Sequence, residues 1–201
     1  MKHNFISKRY WNSISTPMGK LANLTYSYDD LIDLSLGDPD ITTDEKIIKA
    51  TFEDTKNGHT HYTDPYGDPE LREEICKYYS EEFNHKVEED EIIVTAGACY
   101  AMWLALEAIL DDGDEVIIHA PYFTPYPQQI KLTRGKPVVL NTYEEEDFQV
   151  DTRRLKSLIT NRTKAIIINT PNNPTGTCFT IETLKDIANI AIEHDLIVIA
   201  D

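Results

Sequence analysis

From position 91 onward the apolar residues follow a repeating order. Short continuous runs, Ile92–Val94, Val116–Ile118, Val138–Leu140, Ala165–Ile168 and Ile197–Ala200, alternate with longer stretches in which apolar positions recur every three or four residues. The runs predict strands over 91–95, 115–120, 137–141, 164–170 and 196–200. The longer stretches predict helices over 98–110, 151–160 and 180–194, and a loop and helix over 121–132. In the helix at 151–160, Leu155, Leu158 and Ile159 point inward. In that at 180–194, Leu184, Ile187, Ala188, Ala191 and Ile192 share one stripe. Unbroken apolar strands are what a sheet covered on both faces requires. Strict strand–helix alternation makes that sheet mostly parallel, an α/β fold with flanking helices.

Before residue 91 the pattern is different. The first forty residues are irregular, with short apolar pieces between turn signals such as Gly37-Asp38-Pro39-Asp40. A helix is predicted over 43–57, with Ile47, Ile48, Thr51 and Phe52 on one side and Gly58 as its stop. A loop over 59–68 leads to Asp68, a capping residue before Pro69 at the first position of another helix. There Leu71, Ile75, Tyr78, Tyr79 and Phe83 mark an expected buried face. The chain carries no internal repeat and no low-complexity segment.

The ends of the predicted strands carry the chemistry. In open α/β sheets ligands bind just beyond the carboxyl ends of the strands. Three such ends are unusual here. Thr95-Ala96-Gly97-Ala98-Cys99 joins a strand to a helix through small residues. These permit either a phosphate at the helix N-terminus or simply tight packing. Ala120-Pro121-Tyr122-Phe123-Thr124-Pro125-Tyr126 places aromatic rings at the same edge, for stacking on a planar ligand or for surface packing. Asn169-Thr170-Pro171-Asn172-Asn173-Pro174-Thr175-Gly176 cannot continue a central strand, because proline lacks the ladder N–H; it makes a stiff polar turn.

Composition narrows the partners. The 201 residues hold 19 Lys and Arg against 35 Asp and Glu, a formal net charge of −16. Such acidity argues against nucleic acid or an anionic membrane surface as partner. The run Glu144-Glu145-Glu146-Asp147 reads as a solvated loop. Cys76, Cys99 and Cys178 are few, odd in number and widely spaced, which suits a reducing compartment and no disulfide framework. No pair has zinc-ligand spacing, so no metal is expected. The N-terminus lacks an apolar signal core, and a cytoplasmic location is expected.

Taken in order, five segments resemble the class I/II aminotransferases, the fold-type I enzymes that use pyridoxal 5′-phosphate (PLP). They are Leu36-Gly37-Asp38-Pro39-Asp40, Tyr62 to Arg72, Thr95-Ala96-Gly97-Ala98, Pro121-Tyr122-Phe123 and Asn172-Asn173-Pro174-Thr175-Gly176. The resemblance implies amino-group exchange between an α-amino acid and a 2-oxo acid. It implies that Gly97, Ala98 and Cys99 cradle the cofactor phosphate and that Phe123 stacks on the pyridine ring. Asn173 would bond the ring's phenolic oxygen, and Asp201 would pair with the protonated ring nitrogen. Tyr62 would cross a homodimer interface to the partner's phosphate, and Gly37 would lie near the substrate carboxylate. Cis peptides are expected at Asn173–Pro174 and at Ala120–Pro121. A PLP-dependent carbon–sulfur β-lyase shares these motifs and is the alternative within the family.

Two departures qualify the resemblance. The family places a small polar residue near Cys99 and an acid or amide where Tyr100 stands, so fewer phosphate contacts are expected. The family's cofactor-bonding lysine, its phosphate and carboxylate arginines and its second domain follow the position of Asp201, and no lysine of this chain sits in such a context. No catalytic residue is therefore assigned, and cofactor binding by the 201 residues is expected to be weak or absent. Residues 1–42 are expected to form an N-terminal arm and the start of the small domain. Residues 43–201 are expected to form the first part of the PLP-binding large domain, whose sheet order is 3-2-4-5-6-7-1. With strands 6 and 7 lacking, the strand at 91–95 has no neighbour and that at 196–200 has an open edge. This raises a third possibility, a non-catalytic remnant that folds by association.

Overall fold

The computed structural model describes residues 39–201 together with residues 5, 7, 30–32 and 37. Most of the arm expected over 1–42 lies outside the described residues. The chain divides into two compact units, one with residues 18–95 and one with residues 96–201 and the first seventeen.

In the first unit, helix α1 spans Glu45–Lys56. Asp44 caps it, its carboxylate accepting the Lys46 N–H at 2.7 Å. Gly58 follows its end with φ +94°, as expected of a helix stop. Helix α2 spans Pro69–Phe83, begun by Asp68, whose side chain accepts from the N–H groups of Glu70 and Leu71. Its expected buried face is not buried: Leu71, Tyr78, Tyr79 and Phe83 are exposed, and the three aromatic rings contact one another, two pairs T-shaped and one tilted. The strand expected over Glu91–Thr95 is also not formed. Glu89–Glu91 is a 3₁₀ turn, Ile92 after it is extended, and residues 92–95 join no sheet ladder. The Val94 N–H instead donates to Tyr66 O at 2.9 Å. That contact presses Val94 onto Gly67, which has φ +110°; a Cβ there would meet the Val94 side chain at 2.4 Å.

The second unit is the expected α/β layer. Helix α3 spans Ala98–Ile109, strand β1 Glu115–Ala120, helix α4 Tyr126–Leu132, strand β2 Lys136–Asn141, helix α5 Thr152–Leu158, strand β3 Thr163–Ile168, helix α6 Ile181–Glu193 and strand β4 Ile197–Ala200. All pairings are parallel, in the order β2-β1-β3-β4. This matches the expected 3-2-4-5 when the segment at 91–95 is counted first.

The two-residue period of the strands divides the core. Val116 and Ile118 of β1, with Ala165 and Ile167 of β3, pack on α3 and α4 through Met102, Leu106, Leu110, Tyr126 and Ile130. Ile117, Ile166 and Ile168 point the other way, onto Leu155 of α5 and Ile187 and Ile190 of α6, with Leu140, Val150 and Phe179. The buried stripe of α6 is Ile187, Ile190 and Ala191. Ala188 and Ile192, expected on that stripe, are exposed, around an open hollow shared with Val198 of β4. On β4, Ile197 and Val198 are exposed at the outer side of the sheet. Ala120–Pro121, Thr170–Pro171 and Asn173–Pro174 are cis, the two expected bonds and one more.

Candidate active site

The sheet fixes where the site residues stand. Strands β1, β3 and β4 run parallel, so the segments after Ala120, Ile168 and Ala200 emerge at one edge. The start of α3 joins them. A cavity of about 400 Å³ there is lined by Gly97, Ala98, Cys99, Met102, Phe123, Tyr126, Gln129, Asn169, Asn173 and Asp201. That volume falls within the usual range of small-molecule sites, about 300–1,000 Å³. Six of the eight residues singled out from sequence meet in it. The other two, Gly37 and Tyr62, belong to the 18–95 unit, where both are exposed and Tyr62 stands in a loop beside Thr60 and His61.

Each wall has a local cause. Gly97 has φ +87°, which turns the chain into α3, and a Cβ on it would meet no atom within 4 Å, so the backbone there is open to a ligand. The first turn of a helix leaves N–H groups without intrahelical partners, here those of Ala98 and Cys99. Such a helix start favours an anion. The Gln129 side chain braces this turn, its Nε2 donating to Cys99 O at 2.8 Å. Its Oε1 is buried with no partner.

Asp201 extends the β3–β4 ladder by one residue. Its N–H donates to Ile168 O at 2.9 Å, and its carbonyl accepts from Asn169 Nδ2 at 2.8 Å. The Tyr126 hydroxyl donates to its carboxylate. Tyr126 is 2% exposed, so the aromatic expected at the surface is instead a buried donor. Burial, the bond to Asp201 and nearby negative charge together hold the Tyr126 phenol well above its ordinary pKa, so it stays a donor at neutral pH. Phe123 packs edge-on to Tyr126, ring centroids 5.6 Å apart, and presents its ring to the cavity.

The polar turn after β3 is held from within. Asn172 Oδ1 accepts from the Thr175 N–H at 3.1 Å and from its hydroxyl at 2.9 Å, and Asn172 Nδ2 donates to Pro121 O at 3.2 Å. Asn169 Oδ1 accepts the Asn173 N–H at 2.6 Å. Sequence reasoning quoted Asn169 and Tyr126 within motifs without giving them a role, and it missed Met102 and Gln129. The helical spacing of Cys99 to Met102 and of Tyr126 to Gln129, three residues each, was the available signal.

In chemical terms the cavity offers a carboxylate, an aromatic face, amide groups and helix N–H donors. This set suits a planar ligand that carries an anionic group and a protonated ring nitrogen. These groups fit the ring and the phosphate of PLP, and they are part of what that cofactor would use.

Comparison with known proteins agrees with this geometry. Residues 29–201 match the family model of aminotransferase class I and II. The aspartate aminotransferase of Bacillus subtilis is 40% identical over 182 residues, which is 90% of this chain and 46% of that protein. That of Pyrococcus abyssi is 42% identical over 183 residues, covering 90% of this chain and 47% of its own length. The solved structure of Thermus thermophilus aspartate aminotransferase with maleate overlays with a TM-score of 0.91 at 36% identity, covering 100% of this chain and 53% of that one. The chain thus spans about half the length of the curated relatives it matches. With its parallel sheet and this set of site residues, the chain belongs to the class I and II aminotransferase family.

Proposed function

We propose that the protein is a PLP-dependent aminotransferase that exchanges the amino group of an α-amino acid with the carbonyl of a 2-oxo acid. The observation that carries this reading is the convergence of Asp201, Phe123, Asn173 and the start of α3 on one cavity. The names of the relatives favour an acidic amino donor such as aspartate and give no support to the β-lyase alternative.

When bound, the cofactor supplies a carbonyl for the amine and a ring that accepts the electrons freed at the substrate Cα. The chain's own residues do the following in this reading. The Asp201 carboxylate takes the ring N–H and keeps that nitrogen protonated. The Tyr126 hydroxyl holds the carboxylate in place. Phe123 gives the ring a face to lie on. Asn173 provides a polar partner at the ring edge, and the N–H groups of Ala98 and Cys99 take the phosphate. Residues 1–42 belong to an arm and the start of the small domain in this reading, and residues 43–201 to the first part of the cofactor-binding domain. Tyr62 and Gly37 serve at a homodimer interface and beside the substrate carboxylate. Among the described residues no helix is long and apolar enough to cross a membrane. The free cysteines favour a cytoplasmic location.

The test is a titration of the purified protein with PLP, followed by visible absorbance. Weak, non-covalent but saturable binding is expected, weakened tenfold or more by Asp201→Ala. No saturable binding, or binding untouched by Asp201→Ala, refutes the reading.

A further inference from the structure

His119 is a buried imidazole that none of the proposed roles uses. It is the fifth residue of β1 and is 5% exposed. Its Nε2 accepts the backbone N–H of Asn169 at 3.1 Å. β1 and β3 pair in register up to Ile118 and Ile167. Just beyond that last pair, the backbone donor of the neighbouring segment meets a side chain of β1. An imidazole nitrogen that accepts carries no proton, so His119 is the neutral tautomer with its proton on Nδ1. The ring is set by Phe179, which packs on it at 64° with centroids 4.9 Å apart.

Asn169 is where this matters. Its two side-chain atoms face opposite partners: Oδ1 accepts the Asn173 N–H at 2.6 Å, and Nδ2 donates to the Asp201 carbonyl at 2.8 Å. Turning the amide over would set oxygen against carbonyl and nitrogen against N–H, so one orientation is fixed. One buried side chain therefore ties together the backbones of two residues 28 positions apart that both line the cavity. Both its backbone and its side chain must stay in place for that tie to hold. The backbone is held at its N–H by His119.

We propose that His119 is a positioning residue for the cofactor ring: through the Asn169 N–H it fixes the amide that sets Asp201 and Asn173 at their spacing. The proposal rests on the functional reading above and extends it to a residue outside the cavity. It touches no ligand and transfers no proton; its contribution is an acceptor at one point in a buried network, where a lost bond leaves an unsatisfied N–H.

Two substitutions separate this role from general packing. Glutamine places an acceptor close to where Nε2 stands, and asparagine ends nearer the position of Nδ1. In His119→Asn, backbone hydrogen exchange at Asn169 and Asn173 should accelerate about tenfold, and PLP should bind about five- to tenfold more weakly. In His119→Gln both should return to within about threefold of wild type. In the unsubstituted protein, ¹⁵N spectra of labelled histidine should give Nε2 unprotonated, with its resonance moving on addition of PLP. A protonated Nε2, or a resonance that ignores PLP, overturns the proposal even if His119→Asn fails to fold. So does His119→Asn binding PLP as wild type does, or His119→Gln failing as His119→Asn does. Absence of saturable PLP binding to the wild-type protein would bring down the functional reading and this proposal with it; normal binding in His119→Asn would bring down this proposal alone.

Discussion

Replacing Tyr126 by phenylalanine removes one oxygen from the molecule and leaves its packing in place. The ring is 2% exposed and belongs to the core beneath α3 and α4, and its edge contact with Phe123 needs no hydroxyl. What is lost is the donor to the Asp201 carboxylate. A hydrogen bond to a charged acceptor contributes about 1.5–3 kcal/mol. Asp201 is exposed, so water partly replaces the missing donor and the low end applies, about 1.5 kcal/mol. That is roughly tenfold in the unfolding equilibrium. Urea denaturation at pH 7, followed by circular dichroism, measures it, with an unchanged dependence on urea expected. The companion is Asp201→Ala. If the hydroxyl acts through the carboxylate, Tyr126→Phe costs little once Asp201 is alanine, and the coupling recovers most of the 1.5 kcal/mol of that estimate. A loss below about 0.3 kcal/mol in the wild-type background, or an equal loss in both backgrounds, refutes the reasoning.

Three further outcomes follow from other parts of the chain. Burial lowers the His119 pKa from 6.5 to about 4. The unfolded chain therefore takes up a proton in that interval that the folded chain does not, and stability should fall on acidification by about 1.4 kcal/mol per pH unit, about 3 kcal/mol across the window. The gap between urea midpoints at pH 7 and pH 5 should be smaller in His119→Gln than in wild type, and an identical acid loss in both would contradict this. In an alkaline absorbance titration the Tyr126 phenol should keep its proton beyond the ordinary phenol range, and that late step should vanish in Tyr126→Phe. Gly67→Ala sets a Cβ against Val94 at 2.4 Å on a backbone of φ +110°, and should lower stability by at least about 2 kcal/mol, so a variant melting as wild type would show that the turn and residue 94 part freely.

The parallel sheet was legible because its strands are unbroken apolar runs set between helical spacings, and a register of alternating faces follows from that pattern alone. The strand expected at 91–95 looked the same in sequence. A strand needs a neighbour, which no apolar run can supply for itself, and residues 92–95 join no ladder. The faces of α2 and α6 were misread for a related reason. Periodicity says which residues lie together, and not whether another element covers them, so Tyr78, Phe83 and Ile192 could be grouped but not placed. At the site, motifs led to Gly97, Phe123, Asn173 and Asp201. They did not lead to what braces those residues. Asn169 meets Asp201 across 32 positions and His119 across 50, through single hydrogen bonds that leave no periodic trace.

Met102 and Tyr126 belong at once to the hydrophobic core and to the lining of the cavity. The cavity floor is thus the end of the core itself. The site's shape is then inherited from how α3 and α4 seat on β1 and β3. Ligand preference here can drift through changes at Leu106, Ile118 or Ile130, which meet no ligand, because a small slide of α3 carries the N–H groups of Ala98 and Cys99 with it. An engineer seeking a different ligand would do well to randomise that interior layer alongside the visible contacts.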